Sequence, residues 1–272
     1  MEDRDDFCAV SEILETDVTT SDLTPSNILF RVAEHVQNWS DSEVYLNLGN
    51  PKMDKVRTSD GSPPRPHAPS HLIELIDFAY WKSSFLQEDT LLIDFGQSFS
   101  ILRPPTGYKP ATVPHYLSPE ARFERKCGFP ADVWSLGCTI FEIRAGLPLF
   151  DPFLGGYSRI LKAIVQTLGK MPEPWWGAFE ARHLWFDERG EPKAGTAKKT
   201  PIKQQLASAG YCDDPPPTRD GDPMVEPSGT RLDKVEIELL GDLLEKMMRY
   251  QAEDRIKISE VVAHPWFAPE DI

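Results

Sequence analysis

Two acidic residues at the ends of apolar segments set the strongest limits on how this 272-residue chain folds. Asp22 lies in SDLTPSNILF, five positions before Asn27, and the apolar run that follows predicts a short strand. Asp94 lies in LLIDFG, where a predicted buried strand runs into a glycine turn. On adjacent loops, these two carboxylates and the carboxamide would form the oxygen-rich set that Mg²⁺ prefers. Each fragment alone is weak, because a lone D-x-x-x-x-N pattern is mostly an accident of loop composition.

Apolar residues at helical spacing predict that the rest of the chain is mainly α-helical. Between Ala131 and Ala145 they lie on more than one side of the helix, which is typical of a helix buried inside a domain. Its apolar members are Val133, Leu136, Ile140, Phe141 and Ile143. Further helices are predicted at 32–39, 160–168 and 258–263. The residues that predict an amphipathic helix before the last one are Ile237, Leu240, Leu244, Met247 and Met248.

Two segments are predicted to be irregular, in line with the 25 prolines of the chain. The first is a loop-rich spacer at 31–90, in which TSDGSPPRPHAPS at 58–70 indicates a surface loop. The second covers 187–231 and is rich in Pro, Gly, Lys and Asp, with YCDDPPPTRDGDP as its least structured part.

The charge balance limits the classes of partner. The chain has 29 Lys+Arg against 43 Asp+Glu, a formal net charge of −14. We expect no nucleic-acid partner, because the phosphate backbone would be repelled. The acidic balance suits a basic protein or peptide ligand, although acidic surfaces are also a common way to stay soluble.

The cysteines and the N-terminus indicate an intracellular protein. Four widely spread cysteines without a CxxC pair argue against a disulfide framework or a zinc site. MEDRDDFCAVSEILETD is acidic and has no apolar core, so it does not predict a secretory signal. No apolar stretch approaches 18 residues, so we expect no contact with a membrane and a location in the cytoplasm or nucleus.

Five motifs occur in a fixed order and together carry a resemblance. They are the Asp22 to Asn27 loop, Asp94-Phe95-Gly96, Ser118-Pro119-Glu120, DVWSLG at 132–137 and the C-terminal LLEKMMRYQAEDRIKISEVVAHPWF. In this order they resemble the C-terminal lobe of the eukaryotic protein kinases, in which a catalytic-loop Asp and Asn precede D-F-G and A-P-E. LPLFD at 147–151 and ILKAIVQTLGKMPEPWW at 160–176 resemble the insert-bearing branch of kinases that includes the SR-protein kinases. The long spacer between Asn27 and Asp94 resembles the fungal members of this SR-protein-kinase-like group.

The resemblance implies a fold class and a domain arrangement. The fold is expected to be mainly α: a kinase-like C-terminal lobe with a few short strands at the catalytic loop and D-F-G. Residues 18–267 would form this lobe, and they would include the spacer and the irregular insert. Residues 1–17 would be a segment outside the family, and residues 268–272 a tail.

The resemblance also implies roles for individual residues. Asp22 would accept or orient the hydroxyl of a substrate Ser or Thr, while Asn27 and Asp94 would hold Mg²⁺ against the phosphates of ATP. Glu120 and Arg255 would form a buried ion pair. Asp132 would accept hydrogen bonds from the catalytic-loop backbone and serve as a helix N-cap. The residues expected to pack in the core, without a ligand role, are Trp134, Trp175, Trp176 and Trp266.

Four departures from the kinase pattern are visible. Thr20 and Ser21 stand where most kinases carry His-Arg, so no arginine would receive an activation-loop phosphate. Thr24 stands in place of the catalytic-loop lysine. Val113 stands where Ser/Thr kinases place a threonine, although Thr112 could replace it with a one-residue shift.

The fourth departure concerns the amino-terminal lobe. Only 21 residues precede Asp22, and they contain no G-x-G-x-x-G loop and no V-A-I-K strand. The sequence therefore predicts that the lobe that clamps ATP is absent, through truncation or in a pseudokinase.

Three functions are weighed on this basis. The first is a serine/threonine protein kinase of the SR-protein-kinase-like group that uses ATP and Mg²⁺ on basic protein substrates, arginine/serine-rich ones among them. The second is a non-catalytic lobe that binds basic protein segments as a scaffold. The third, a small-molecule phosphotransferase of kinase-like fold, is disfavoured because SPE followed by DVWSLG predicts a platform for protein substrates.

Overall fold

The chain forms two compact units. The computed structural model describes residues 18–20, 22–62, 64–76, 81–150, 156–210 and 231–268. Within this part of the chain, the first unit comprises residues 18–29, 89–210 and 231–268, and the second lies between residues 30 and 88. The stretch at 211–223 that is predicted to be least structured lies outside the described residues.

Helices supply most of the regular structure, in agreement with the mainly α prediction. They are α1 (Glu34–Gln37), α2 (Asp41–Leu48), α3 (Pro119–Glu124), α4 (Phe129–Ala145), α5 (Tyr157–Leu168), α6 (Trp175–Ala178), α7 (Ile202–Ser208), α8 (Lys234–Met247) and α9 (Ile258–Val262). Single 3₁₀ turns lie at Pro25–Asn27, Ser83–Phe85, Phe95–Gln97, Glu180–Leu184, Ala252–Asp254 and Pro265–Phe267. No helix among the described residues is long and apolar enough to span a membrane.

Strands are short and pair two by two. They are β1 (Val18–Thr19), β2 (Ile28–Val32), β3 (Met53–Lys55), β4 (His71–Ile73), β5 (Leu86–Leu92) and β6 (Phe99–Ser100). β1 pairs with β6, β2 with β5, and β3 with β4. The β1–β6 pair is antiparallel and sets Thr19 opposite Phe99, so the two segments expected to carry site residues are joined by backbone hydrogen bonds.

Helix α4 lies at the centre of the first unit. Gly128 precedes it, Pro130 lies in its first turn, where the missing N–H has no helical partner, and Gly146 ends it at φ 76°. Every residue from Ala131 to Phe141 is buried, which confirms the prediction of a helix surrounded by core. Ile143 is the exception: it is 62% exposed, although Ala145 in the same last turn is buried.

The close packing of α8 against α4 explains a glycine inside the buried helix. A Cβ on Gly137 would collide with the methyl group of Met248 and would lie 3.3 Å from Cβ of Met247. Leu240, Leu243 and Leu244 are fully buried along the same face of α8. The amphipathic pattern near the C-terminus therefore predicts the contact correctly, although α8 ends at Met247.

The predicted tryptophan roles are confirmed. Trp134, Trp175 and Trp176 are buried, and Trp266 is partly buried against the same core. The indole of Trp134 stacks on Phe150 with ring centroids 5.5 Å apart. These side chains fill the interior of the first unit.

Several sequence-based expectations need correction. Helix α7 forms inside the segment 187–231 that is predicted to be irregular, because Ile202 and Leu206 are buried against the core. The strand that precedes Asp94 is only partly buried, and Ile93 is exposed. In the second unit, α2 forms within the loop-rich spacer and begins with a capping box between Ser40 and Glu43.

A buried ion pair joins α3 to the C-terminal helices. Arg255 Nη1 and Nη2 bind Glu120 Oε1 and Oε2 at 2.5 Å and 2.6 Å, and the two side chains are 1% and 9% exposed. The guanidinium also donates to the carbonyl oxygens of Pro130 and Arg249 and lies over the Trp134 ring at 5.1 Å. The predicted pair is confirmed, and its charges are satisfied on every side.

Removal of one partner of this pair is expected to destabilise the protein strongly. Glu120→Gln leaves the Arg255 guanidinium buried without a counter-charge, so the free energy of unfolding should fall by about 3–5 kcal/mol, measured by urea denaturation.

The matched control is Glu191→Gln, which breaks the pair of Glu191 and Lys199, whose side chains are both more than half exposed. That loss should be below about 1 kcal/mol. Equal losses in the two variants would contradict the structural role of the buried pair.

Candidate functional site

The buried helix α4 holds the loop that contains Asp22. The carboxylate of Asp132, 1% exposed, accepts hydrogen bonds from Thr19 Oγ1 at 2.7 Å and from the backbone N–H of Thr20 at 3.1 Å. About two turns further along α4, Thr139 Oγ1 donates to the carbonyl oxygen of Leu23 at 3.1 Å. All three bonds are buried, so the loop is attached to the helix at the centre of the first unit.

Of the two roles predicted for Asp132, one is confirmed and the other is wrong. It accepts hydrogen bonds from the loop before Asp22, as the resemblance implies. It is not a helix N-cap, because α4 begins one turn earlier, with Gly128 at the cap position. Pro130, two residues after Gly128, could have signalled this earlier start.

Asp22 and Asn27 are joined within their own loop. Asn27 Nδ2 donates to the backbone carbonyl of Asp22 at 2.8 Å, and the 3₁₀ turn Pro25–Asn27 is closed by the Asn27 N–H to Thr24. The amide nitrogen is therefore used inside the loop. Among the described residues no hydrogen bond to the Asn27 amide oxygen is seen, so this oxygen would be available as a ligand for a cation.

Asp94 is brought to the same place by the chain next to it. The N–H of Ile93 donates to the carbonyl oxygen of Asn27 at 2.9 Å. Asp94 follows with φ 60° and ψ 58°, and its Oδ1 accepts from the N–H of Gly96. A left-handed conformation is uncommon for a non-glycine residue, and it turns the exposed carboxylate out of the strand direction.

The electrostatic contacts of Asp22 confirm that the site residues are close. Burial raises the pKa of the Asp22 carboxyl, and the negative charge of Asp94 raises it further. Hydrogen bonds from the side chains of Asn27 and Thr112 act in the opposite direction. Asp22, Asn27 and Asp94 therefore form one cluster, and Oδ1 of Asp22 has no hydrogen-bond partner among the described residues.

The structure shows which of two residues, Thr112 or Val113, takes the place of the threonine of Ser/Thr kinases. The side chain of Thr112 is buried and hydrogen-bonds Asp22, whereas Val113 is 44% exposed. The one-residue shift is therefore what the structure shows. Sequence reasoning places this threonine only as an alternative, because the register of a loop with prolines on both sides is not visible in the residues.

The segment between Asp94 and Glu120 is held by contacts that need no phosphate. The β1–β6 pair fixes its start, and Ser98 Oγ donates to the carbonyl oxygen of Thr20 at 3.4 Å. Tyr108 packs on Phe99, with ring centroids 4.7 Å apart, and its hydroxyl donates to Gln97. These contacts attach the start of the segment to β1 and to the loop before Asp22.

The place of the expected lysine is filled by a neutral pair. Thr24 is buried, and its hydroxyl hydrogen-bonds Ser26 Oγ at 2.9 Å. Among the described residues, no lysine or arginine forms an ion pair with Asp22 or Asp94. The carboxylates are therefore balanced only by hydrogen bonds.

The side-chain oxygens of Asp22, Asn27 and Asp94 suit a hard divalent cation. Two carboxylates that repel each other and one free amide oxygen are the ligand types that Mg²⁺ binds, usually with waters and substrate phosphates. The unpartnered Oδ1 of Asp22 and the exposed carboxylate of Asp94 are consistent with this chemistry. Asn27 and Asp94 would hold the ion, and Asp22 would stay available to an acceptor hydroxyl.

Comparison with known proteins shows the family of this chain. A family model described as protein kinase domain matches residues 84–267, more than half of the chain. Human dual specificity protein kinase CLK2 is 23% identical over 265 residues, which is 96% of this chain and 41% of the human protein. Mouse dual specificity protein kinase CLK1 is 24% identical over 262 residues, 93% of this chain and 41% of the mouse protein.

A shorter match has higher identity. Dual specificity tyrosine-phosphorylation-regulated kinase 2 of Drosophila melanogaster is 33% identical over 129 residues, which is 45% of this chain and 17% of the fly protein. This chain thus spans less than half of the length of these relatives.

The raised pKa of Asp22 predicts that neutralising this residue stabilises the fold. The unfolded chain releases the proton near 3.8 and the folded chain at higher pH, so ionised Asp22 lowers stability above the folded pKa. Asp22→Asn should therefore raise the melting temperature at pH 7, and the gain should vanish as the pH falls to 3.8.

Glu124→Gln is the control of opposite sign. Hydrogen bonds from Lys126 and then from Trp175 lower the pKa of Glu124 below 4.5, so its charge stabilises the fold. This variant should melt earlier at pH 7, and the deficit should persist until the pH falls below 4.5. A lower melting temperature of Asp22→Asn at pH 7 would contradict the assignment of Asp22.

Proposed function

We propose that this chain, which belongs to the protein kinase domain family, is a serine/threonine protein kinase that transfers the γ-phosphoryl group of ATP to a protein. The observation that carries the proposal is the cluster of Asp22, Asn27 and Asp94, held by buried bonds to α4. Within the family these groups provide the base and the metal ligands for phosphoryl transfer.

The transfer follows from the positions of the groups. The substrate hydroxyl oxygen attacks the γ-phosphorus, the bond to the bridging oxygen of ADP breaks, and the hydroxyl proton passes to Asp22. Thr112 fixes the Asp22 carboxylate by a hydrogen bond, and burial together with Asp94 raises its affinity for a proton. Mg²⁺ held by Asn27 and Asp94 would neutralise charge on the phosphates.

A basic substrate is proposed on electrostatic grounds. The net charge of −14 favours encounter with arginine-rich segments over encounter with acidic ones. The SR-protein-kinase-like pattern in the spacer and in LPLFD supports arginine/serine-rich proteins. We propose a cytoplasmic or nuclear location, in which such substrates occur.

A radiolabelled ATP assay on the full chain tests the activity. We expect transfer to an arginine–serine peptide in Mg²⁺, weaker transfer to a glutamate–serine peptide, and loss of transfer in Asp94→Ala. Asp22→Asn should lower kcat by about 100- to 10,000-fold while ATP still binds. Transfer that is equal in Asp94→Ala and the wild type would reject the proposal.

The names of the relatives call for one more arm in this assay. Those proteins are described as dual specificity kinases. An arginine–tyrosine peptide therefore belongs beside the serine peptide. Transfer to tyrosine at a comparable rate would replace the serine/threonine assignment with a broader one.

A second function is favoured by the neutral pair of Thr24 and Ser26. The γ-phosphate lacks the lysine that would contact it at this position. The chain would then be a non-catalytic lobe that binds basic protein segments as a scaffold. Nucleotide titration separates the two functions, because a ligand at 100 times its Kd stabilises a fold by about 2.7 kcal/mol.

For a kinase we expect Mg·ATP to raise the melting temperature by several degrees, and Asp94→Ala to abolish this shift. For a scaffold, wild type and variant should both melt at an unchanged temperature in Mg·ATP.

Thr112 is predicted to act on the rate of transfer. Thr112→Val removes one hydrogen bond to a charged group, so kcat should fall by about 10- to 100-fold. KM for ATP should change little, because the hydrogen bond that is removed goes to Asp22, which is not an expected metal ligand. The matched control is Val113→Ala at the exposed neighbouring position, which should leave kcat within about twofold of the wild type.

A further inference from the structure

Thr200 is a partly exposed threonine whose hydroxyl is not used in the fold. It stands in KKTPIK at 198–203, in the irregular run just before α7. Its backbone is held, since its N–H donates to the carbonyl oxygen of Gln166 at 2.9 Å and its carbonyl oxygen accepts from Gln205 Nε2 at 2.8 Å. Among the described residues, no hydrogen bond involves its hydroxyl.

Thr200 lines a cavity of about 280 Å³ between the end of α4 and α7. Lys198 is the one charged residue among the described residues that line it. Residues two apart in an extended chain have Cα atoms about 7 Å apart, a distance that a lysine side chain can span. The cavity is several times larger than the space of about 30 Å³ that a water molecule takes in the liquid. It therefore has room for a phosphate on Thr200, within reach of the Lys198 ammonium.

The charge around this threonine is opposite in sign to that of the whole chain. The hexapeptide has three lysines and no acidic residue, whereas the chain has a net charge of −14. Two of these lysines have counter-charges, since Lys199 binds Glu191 and Lys203 binds Glu238. Lys198 forms no ion pair in the described part of the chain. A phosphate in the cavity would give Lys198 a charge-assisted hydrogen bond.

The sequence has four Ser or Thr residues that precede a proline, and the fold distinguishes them. Thr24 is buried and hydrogen-bonded, and Ser118 is buried and caps α3. Ser62 is exposed, but its N–H donates to Asp60 Oδ1 at 3.0 Å, so a phosphate there would meet a carboxylate. Of the four, Thr200 is the one that combines a partly exposed position with a cavity that contains a cation.

We propose that Thr200 is a phosphorylation site for a protein kinase that accepts threonine before proline, and that Lys198 holds the resulting phosphate in the cavity. Pro201 has φ −55° and ψ 153°, so the residue after the acceptor is already extended. Access requires that the bonds to Gln166 and Gln205 open, as surface segments without strand pairing do at low cost.

The modification treats this chain as a substrate and goes beyond the function proposed above. The Thr200 hydroxyl oxygen attacks the γ-phosphorus of ATP, and the bond to the bridging oxygen of ADP breaks. The hydroxyl proton passes to the carboxylate base of the modifying kinase.

A purified kinase that phosphorylates Ser or Thr before proline tests the first part of the proposal. The substrate is the full chain with Asp94→Ala in ATP and Mg²⁺, so that transfer by this chain does not contribute. Mass spectrometry should find phosphate on Thr200, and Thr200→Ala should lose it. Thr196 is the control and should carry no phosphate, because its hydroxyl donates to two carbonyl oxygens and an alanine follows it.

Phosphorus NMR of the modified chain tests the role of Lys198. The chain also carries Ser62→Ala, so that phosphate on Ser62 does not contribute a signal. The second pKa of a phosphate is ordinarily about 6, and a neighbouring lysine stabilises the dianion, so the pKa of the phosphate on Thr200 should lie below that value. Lys198→Met should raise it to about 6. Lys199→Met is the matched control and should leave it lowered, because Lys199 is bound to Glu191.

Two results would overturn the proposal. One is a chain without phosphate on Thr200 under conditions in which a synthetic peptide of residues 195–206 is phosphorylated. The other is a phosphate on Thr200 whose pKa is the same with and without Lys198→Met. Neither result bears on the proposed function, because the chain that is tested carries Asp94→Ala.

Discussion

The bond between Asp132 and the loop before Asp22 is the contact on which the rest of the site depends. A carboxylate that is almost completely buried in α4 accepts from the Thr19 hydroxyl and the Thr20 N–H. Because Asp132 is buried in α4, these bonds anchor the loop to the core of the first unit. Asn27 then closes the loop on Asp22, and Asn27 also binds the N–H of Ile93, which places Asp94. The site is thus built outward from one buried helix.

The parts of the structure that the sequence predicts well are those determined by local residue patterns. Helix α4 follows from its apolar pattern, and the cluster of Asp22, Asn27 and Asp94 follows from the order of the motifs. Local patterns fail where packing decides. Helix α7 forms in a lysine-rich segment because Ile202 and Leu206 are buried, and Ile143 is exposed although its spacing fits the core. Thr112 reaches Asp22 because of a one-residue register that no pattern in this loop encodes.

The repulsion between the carboxylates of Asp22 and Asp94 favours binding of a cation at the cluster. The negative charge of Asp94 raises the pKa of Asp22. In the described part of the chain, only hydrogen bonds from Asn27 and Thr112 offset the repulsion between the two carboxylates. Thr24 binds Ser26 at the position expected for a lysine. A divalent ion would relieve the repulsion that a lysine would otherwise reduce. In an active kinase the same absence would weaken the grip on the γ-phosphate, so metal binding and phosphoryl transfer are tested separately.

Asp22 and Arg122 each carry a charge that burial disfavours, and both contact the segment of Thr112 and Pro114. Burial disfavours the negative charge of Asp22, and burial disfavours the positive charge of Arg122. The two are connected through Thr112, which binds Asp22, and Pro114, which binds Arg122. Unrelieved electrostatic strain of this kind concentrates where a protein binds its ligand.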